Sequence, residues 1–195
     1  MELPNWVPVI ESKPAPGDLL LLQAFINTFE ADTTIDVLSD RDPDTANGWL
    51  HDAGLLPDGI HLQPATLVRT QAVREALRSL LVHNAGHGAP PAAAIELLTT
   101  AAQESVLRLT FNAGDEYQVR AETSGPEPLG GIVLRLMLII RDAQISGTWE
   151  RLKACSNEEC RWAYYDRSHS HKGRWCDMAT CGNRIKNREL RARQR

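Results

Sequence analysis

The stretch CSNEECRWAYYDRSHSHKGRWCDMATC, residues 155–181, contains all four cysteines of the chain. Cys155 and Cys160 are separated by four residues, as are Cys176 and Cys181, and fifteen residues lie between the pairs. Zinc takes soft ligands at the corners of a tetrahedron, ~2.3 Å from each sulfur, and two tight loops that each present two thiolates meet that demand. The opening segment MELPNWVPVIESKPAPGD has no basic start and no apolar run of signal-peptide length, so the chain reads as cytoplasmic. In a reducing compartment, regularly spaced cysteines point to a metal site rather than to two disulfides.

The expected site is one structural zinc ion held by Cys155, Cys160, Cys176 and Cys181. No carboxylate or histidine is placed so as to leave a position open to water, so catalysis at the metal is disfavoured. His169 and His171 are the nearby competitors as ligands, and a solvated loop is the better reading of both. A module of these last 45 residues has too few apolar side chains to hold a core alone, so its folding should be coupled to metal binding.

Charge divides the chain at the same place. The whole carries −4, but residues 1–150 hold 9 Lys/Arg against 20 Asp/Glu, a balance of −11, and residues 151–195 hold 12 against 5, a balance of +7. A basic block on an acidic body suits a polyanion, because clustered Lys and Arg release counterions from phosphates. The division predicts two units, a body over 1–150 and a finger over 151–195. At 43% hydrophobic residues the chain can bury a core and fold unaided. No apolar segment reaches membrane-spanning length, so no membrane partner is expected.

Upstream, the periodicity predicts an α+β body rich in helix. Asp18 to Phe29 reads as a first helix, followed by one starting at Asp42 with Pro43 at its first position. A third runs from Pro64 to His83 with Leu67, Ala72, Val73, Leu77, Leu80 and Leu81 on its apolar side, and a fourth from Ala92 to Gln103. The period then drops to two: Leu107, Leu109 and Phe111 alternate, Asn112 to Asp115 supply a turn, and Tyr117, Val119 and Ala121 alternate again, as in a β-hairpin. Leu129 to Ile145 is apolar on nearly every face and reads as a central helix surrounded by protein. Within the finger, Trp162 to Tyr165 and Arg174 to Trp175 read as two short strands, and a helix runs onward from Cys181. On that helix Arg184, Arg188, Arg191 and Arg195 fall on one stripe, with Lys186 and Arg193 on another flank.

Two resemblances add to this reading. ACSNEEC, WAYYDRS and GRWCDMATCGNRIKNRELRAR resemble the CGNR zinc finger family, most specifically at Trp175-Cys176, at Cys181-Gly182-Asn183-Arg184 with Lys186, and at Asp166 and Ser168. Tyr164 stands where such fingers usually show Phe. Phe25-Ile26-Asn27-Thr28, Asp42-Pro43, Trp49-Leu50 and Val73-Arg74-Glu75-Ala76-Leu77 resemble, less specifically, the ABATE domain often fused to that finger. The resemblances imply a treble-clef, DNA-binding finger at the C-terminus of a bacterial, stress-induced transcription regulator, with a regulatory or sensing body.

For nucleic acid, the candidate contacts are Arg167, Lys172 and Arg174 on the loop and Asn183, Arg184, Lys186, Arg188 and Arg191 on the helix. Asn183 and Arg184, near the helix start, are the candidates for reading bases, and Arg188 and Arg191 for gripping phosphates. A protein-docking finger and an RNA binder remain open, the latter through stacking on Trp162, Tyr164 and Tyr165. An enzyme is the weakest reading, since no phosphate loop or nucleophile motif is present. A single finger touches little DNA, which favours a homodimer formed through the body. In the body, Asn27, Thr28, Trp49 and Arg74 are candidates for a small-molecule effector, because polar groups on core-facing helices need partners. The competing and stronger reading has Asn27 bridging helices, Trp49 in the core and Arg74 solvated or paired with an acid.

Overall fold

The computed structural model describes residues 3–89, 91–103, 105–113, 117–125 and 127–193. Pro43 opens α2 (Pro43–Asp52), preceded by Asp42, whose side chain accepts from Thr45 N at 3.2 Å. A proline first and an Asx cap before it is the chemistry that starts a helix. The other helices of the body are α1 (Leu19–Ile26), α3 (Pro64–Asn84), α4 (Ala92–Gln103) and α5 (Pro128–Ile145). Two antiparallel pairs accompany them. Strands β1 (Phe29–Glu30) and β2 (Ile35–Asp36) are two residues each, and β3 (Val106–Ala113) pairs with β4 (Tyr117–Ser124) in a register running from Val106 opposite Ser124 to Ala113 opposite Tyr117. The turn expected at Asn112 to Asp115 lies partly outside the described residues. No described helix is long and apolar enough to cross a membrane.

The architecture is α+β, and its centre is α1. Seven of the eight residues of LLLLQAFI are buried, with Leu22, Phe25 and Ile26 wholly inaccessible. α1 packs against α3 and α5, and Leu67, Leu77 and Leu81 of the former and Ile132, Val133 and Leu136 of the latter complete the core. This corrects the expectation that α5 is the surrounded helix. α5 buries one side, while Arg135, Arg141 and Ile145 are exposed, because α1 already fills the middle of the core. α1 also stops before Phe29, which starts β1: Thr28 Oγ1 donates to Phe25 O at 2.8 Å and Asn27 leaves helical geometry to serve another segment. Ala72 of α3 is exposed, outside the packed stripe.

That other segment is the finger. Strand β5 (Leu152–Ala154) pairs with β6 (Ala163–Tyr165), whereas Arg174 and Trp175, expected to pair with this segment, form no strand. β5 is the better partner because it continues straight from the body: Asn84 Nδ2, at the end of α3, donates to Trp149 O and Leu152 O at 3.1 Å each. The outer edge of β6 is satisfied by side chains of α1 and its cap. Asn27 Oδ1 accepts from Ala163 N at 2.8 Å and Asn27 Nδ2 donates to Ala163 O at 2.9 Å, so the amide pairs with this residue as a strand would. Gln23, wholly buried, donates to Ala163 O and Lys13 O and accepts from Ala15 N, which ties the N-terminal arm to the same place. Tyr165 N donates to Lys13 O at 3.0 Å.

Removing one side of such an exchange leaves buried backbone groups without partners, at about 1–3 kcal/mol. Asn27→Ala is therefore expected to lower the unfolding free energy of the zinc-loaded protein in urea by about 1–3 kcal/mol, and a variant as stable as the parent would contradict the bridging role.

Candidate metal centre

Each cysteine pair is shaped by a neighbouring Asx residue. In the first loop Asn157 is wholly buried; its carbonyl accepts from Cys160 N at 2.9 Å and Arg161 N at 3.0 Å, and its side chain accepts from Glu159 N at 3.3 Å. The chain leaves the loop through Arg161, in the left-handed region at φ 52°, and Cys155 N then donates to Trp162 O at 2.9 Å. In the second loop Asp177 Oδ1 accepts from Thr180 N at 2.7 Å and Thr180 Oγ1 at 3.0 Å. This starts a wide turn over Met178–Gly182 that runs directly into α6 (Asn183–Arg193). Cys181 therefore sits in the turn that aims the helix. The loops are joined by Ser156 N donating to Arg174 O at 2.8 Å, and Asn157 Nδ2 lies 3.7 Å from Cys181 Sγ.

These constraints bring the four cysteine sulfurs within 4.8 Å of one another. A tetrahedron with ~2.3 Å zinc–sulfur bonds has edges of ~3.8 Å. Cys160 Sγ lies 3.7 Å from Cys176 Sγ, which lies 3.8 Å from Cys181 Sγ. The electrostatics agree. Hydrogen bonds from Cys160 and Cys176 push the Cys155 thiol down to about 2, and supplying such a bond pushes Cys160 up to about 12. Cys176 is pushed up further still, chiefly through its bonds to Cys155 and Cys160. Thiolates this close ionise together only beside a cation, and zinc deprotonates its thiols outright. The donor set fits one structural zinc ion, with Cys155 and Cys181 buried and Cys160 and Cys176 half-buried.

The loop between the pairs is organised by Asp166, which is buried. It accepts from Ser168 N at 3.0 Å, Gly173 N at 2.8 Å and the buried Lys153 ammonium at 2.9 Å. Burial alone would raise its pKa, but bonds from Ser168, Lys153 and Gly173 hold the carboxyl well below the usual carboxylate range. A Cβ on Gly173 would stand 2.8 Å from Asp166 Oδ1, so only glycine permits this approach. Tyr164, nearly inaccessible, donates to Gly173 O at 2.8 Å. At Gly182 a Cβ would meet Met178 Sδ at 2.5 Å and Trp175 Cδ1 at 3.1 Å. Asn157 and Lys153 escaped the sequence reading. An Asx two residues after a ligand cysteine is a turn signal that marks Asn157, whereas nothing local distinguishes a buried lysine.

Every candidate for nucleic acid is exposed: Arg167, Lys172 and Arg174 on the loop, Asn183, Arg184, Lys186, Arg188 and Arg191 on α6. Arg167 donates to Pro14 O at 2.8 Å, and Arg174 lies over Trp175 at 5.2 Å. Arg184 and Arg188 face acids, Asp32 at 3.4 Å and Glu159 at 3.0 Å. Arg195 lies outside the described residues. His169 and His171 are not in the sulfur cluster; His171 Nε2 meets Arg151 instead. The candidates for an effector are occupied by protein partners. Asn27 holds β6, Arg74 makes a two-pronged ion pair with Asp36, Thr28 Oγ1 accepts from Arg74 at 3.3 Å, and half-buried Trp49 donates to Trp6 O at 2.9 Å.

Two family models match the chain. One described as "Putative stress-induced transcription regulator", ABATE, matches residues 20–144, and one described as "CGNR zinc finger" matches residues 151–194. No curated protein matches it.

Removing the charge of Asp166 would leave the Lys153 ammonium buried and unpaired, a loss of about 3–5 kcal/mol. Because the folded carboxyl titrates below its unfolded value of about 4, its contribution is complete above that pH and is lost as the pH falls through the depressed value. Asp166→Asn should thus be less stable by about 3–5 kcal/mol at pH 7 in chemical denaturation, with a shallower fall in stability below about pH 4 than the parent. Equal stability at pH 7 would contradict the pair.

Proposed function

From the premise that the chain belongs to the ABATE family, we propose that it is a zinc-dependent transcription regulator whose finger binds duplex DNA and whose body, residues 1–150, senses a signal or dimerises. The observation that carries this reading is an exposed basic face on a helix whose start is held by a zinc ligand, Cys181. Arg184, Arg188 and Arg191 follow one another at helical spacing along α6, Lys186 adds a fourth charge, and Arg167, Lys172 and Arg174 add the loop. Asn183 and Arg184 are the base readers in this reading, and Arg188 and Arg191 grip phosphates. The module over 151–195 then acts as a treble-clef finger, with zinc supplying fold rather than chemistry.

The acids opposite Arg184 and Arg188 do not oppose this. Both pairs are about half exposed, and such pairs contribute ~0–1 kcal/mol, which a phosphate readily replaces. A protein-docking finger is the second reading, favoured by the exposure of Leu190 and Met178 on the same module. RNA stacking has less support, since Tyr164 and Tyr165 are both buried.

Fluorescence anisotropy of a labelled random duplex with the zinc-loaded protein, across a salt series, separates the readings. Affinity is expected to fall steeply with salt, and replacing Arg184, Lys186, Arg188 and Arg191 by Ala should flatten the slope by about 2–4 units. Asp32→Asn should raise affinity up to about fivefold by freeing Arg184. Failure of the metallated protein to bind at low salt would overturn the DNA reading and favour docking on protein.

A further inference from the structure

A cleft of about 600 Å³ lies where α3, α4, the end of α5 and the finger meet, a volume that suits a small organic ligand. One wall is apolar and comes from the body: Leu80, Ile95, Ile140 and Trp149. The polar wall takes Lys153 and His171 from the finger and His83, Asn84, Gln144 and Glu150 from the body. None of the effector candidates read from the sequence lines it.

The polar wall holds hydrogen-bond donors left over by the fold. An ammonium has three N–H donors. Lys153 is only 4% exposed, gives one donor to Asp166 Oδ2 and one to His171 O, and has no third acceptor among the described residues. His171 Nε2 faces the Arg151 guanidinium, which can only donate, so Nε2 accepts and the ring proton is on Nδ1. His171 is held there in the left-handed region at φ 53°, a conformation that side-chain-bearing residues rarely adopt and that clusters at functional sites. Arg151 also donates to Asp166 O, placing a second positive charge beside the Lys153–Asp166 pair. Glu150, exposed at the rim, disfavours a ligand with two negative charges.

We propose that this cleft binds a small monocarboxylate with an aromatic or branched aliphatic body, the carboxylate accepting from Lys153 Nζ and His171 Nδ1 and the body lying on Leu80, Ile95, Ile140 and Trp149. A neutral amide of the same shape loses the charge-assisted bonds and binds more weakly.

The test is calorimetric titration of the zinc-loaded full chain, without DNA, with benzoate, phenylacetate and 4-methylpentanoate, each against its primary amide. At least one acid is expected to bind, about tenfold or more tighter than its amide. His171→Gly, which suits the left-handed backbone, should weaken that acid about fivefold to tenfold, and Ile95→Glu, at an exposed position of the apolar wall, should abolish binding while circular dichroism and zinc content match the parent. No binding by any of the three acids, equal binding of acid and amide, or unchanged binding in both variants would overturn the proposal. Because DNA is absent, none of these outcomes bears on the DNA reading.

Discussion

Four sulfurs held at the corners of one tetrahedron set the geometry of everything after β5. The segment from 151 onward is too short and too polar to build a core, and its long-range order comes from drawing the loop of Cys155 and Cys160 onto the loop of Cys176 and Cys181. Zinc binding free energy is then folding free energy for the module. The direction of α6 depends on it directly, because Cys181 lies in the turn from which that helix emerges. Without the metal, Asp177 could still cap the turn, and the two loops would be joined by the Ser156 N to Arg174 O bond and the weak Asn157 contact to Cys181.

The finger is nevertheless not a free appendage. β6 is paired by β5 on one edge and by Asn27 and Gln23 on the other, and Lys13 reaches from the arm to Trp175 O at 3.0 Å. His87 Nε2, just beyond α3, meets Ser156 Oγ at 2.8 Å inside the first cysteine loop. Changes in the body therefore have short covalent and hydrogen-bonded routes to the metal loops. The basic face also stands close to the acidic body, with Asp32 opposite Arg184 at 3.4 Å.

Much of this was legible in the sequence, for identifiable reasons. The cysteine spacing implied the cluster, α4 has the bounds its periodicity predicts, and α2 was marked by a proline and a cap that act locally. What the sequence hid was non-local. LLLLQAFI and the α5 segment are both apolar on most faces, so periodicity could not say which lies in the middle, and the shorter one does. β5 and β6 are three residues each, too short for a period, so their pairing was missed. Gln23, Asn27 and Lys153 are polar residues whose burial is matched by partners elsewhere in the chain, among them backbone groups 140, 136 and 18 residues away respectively. The Asn27 and Arg74 polar groups did need partners, as their positions suggested, and the protein itself supplies them.

The most direct test of the zinc-centred account is X-ray absorption at the zinc edge on the purified full chain. The account predicts one zinc per chain with four sulfur scatterers at ~2.3 Å and no nitrogen or oxygen in the coordination sphere. Three or fewer sulfurs, or a nitrogen at ~2.0 Å, would contradict it, because a histidine or water would then hold a corner that this fold assigns to cysteine.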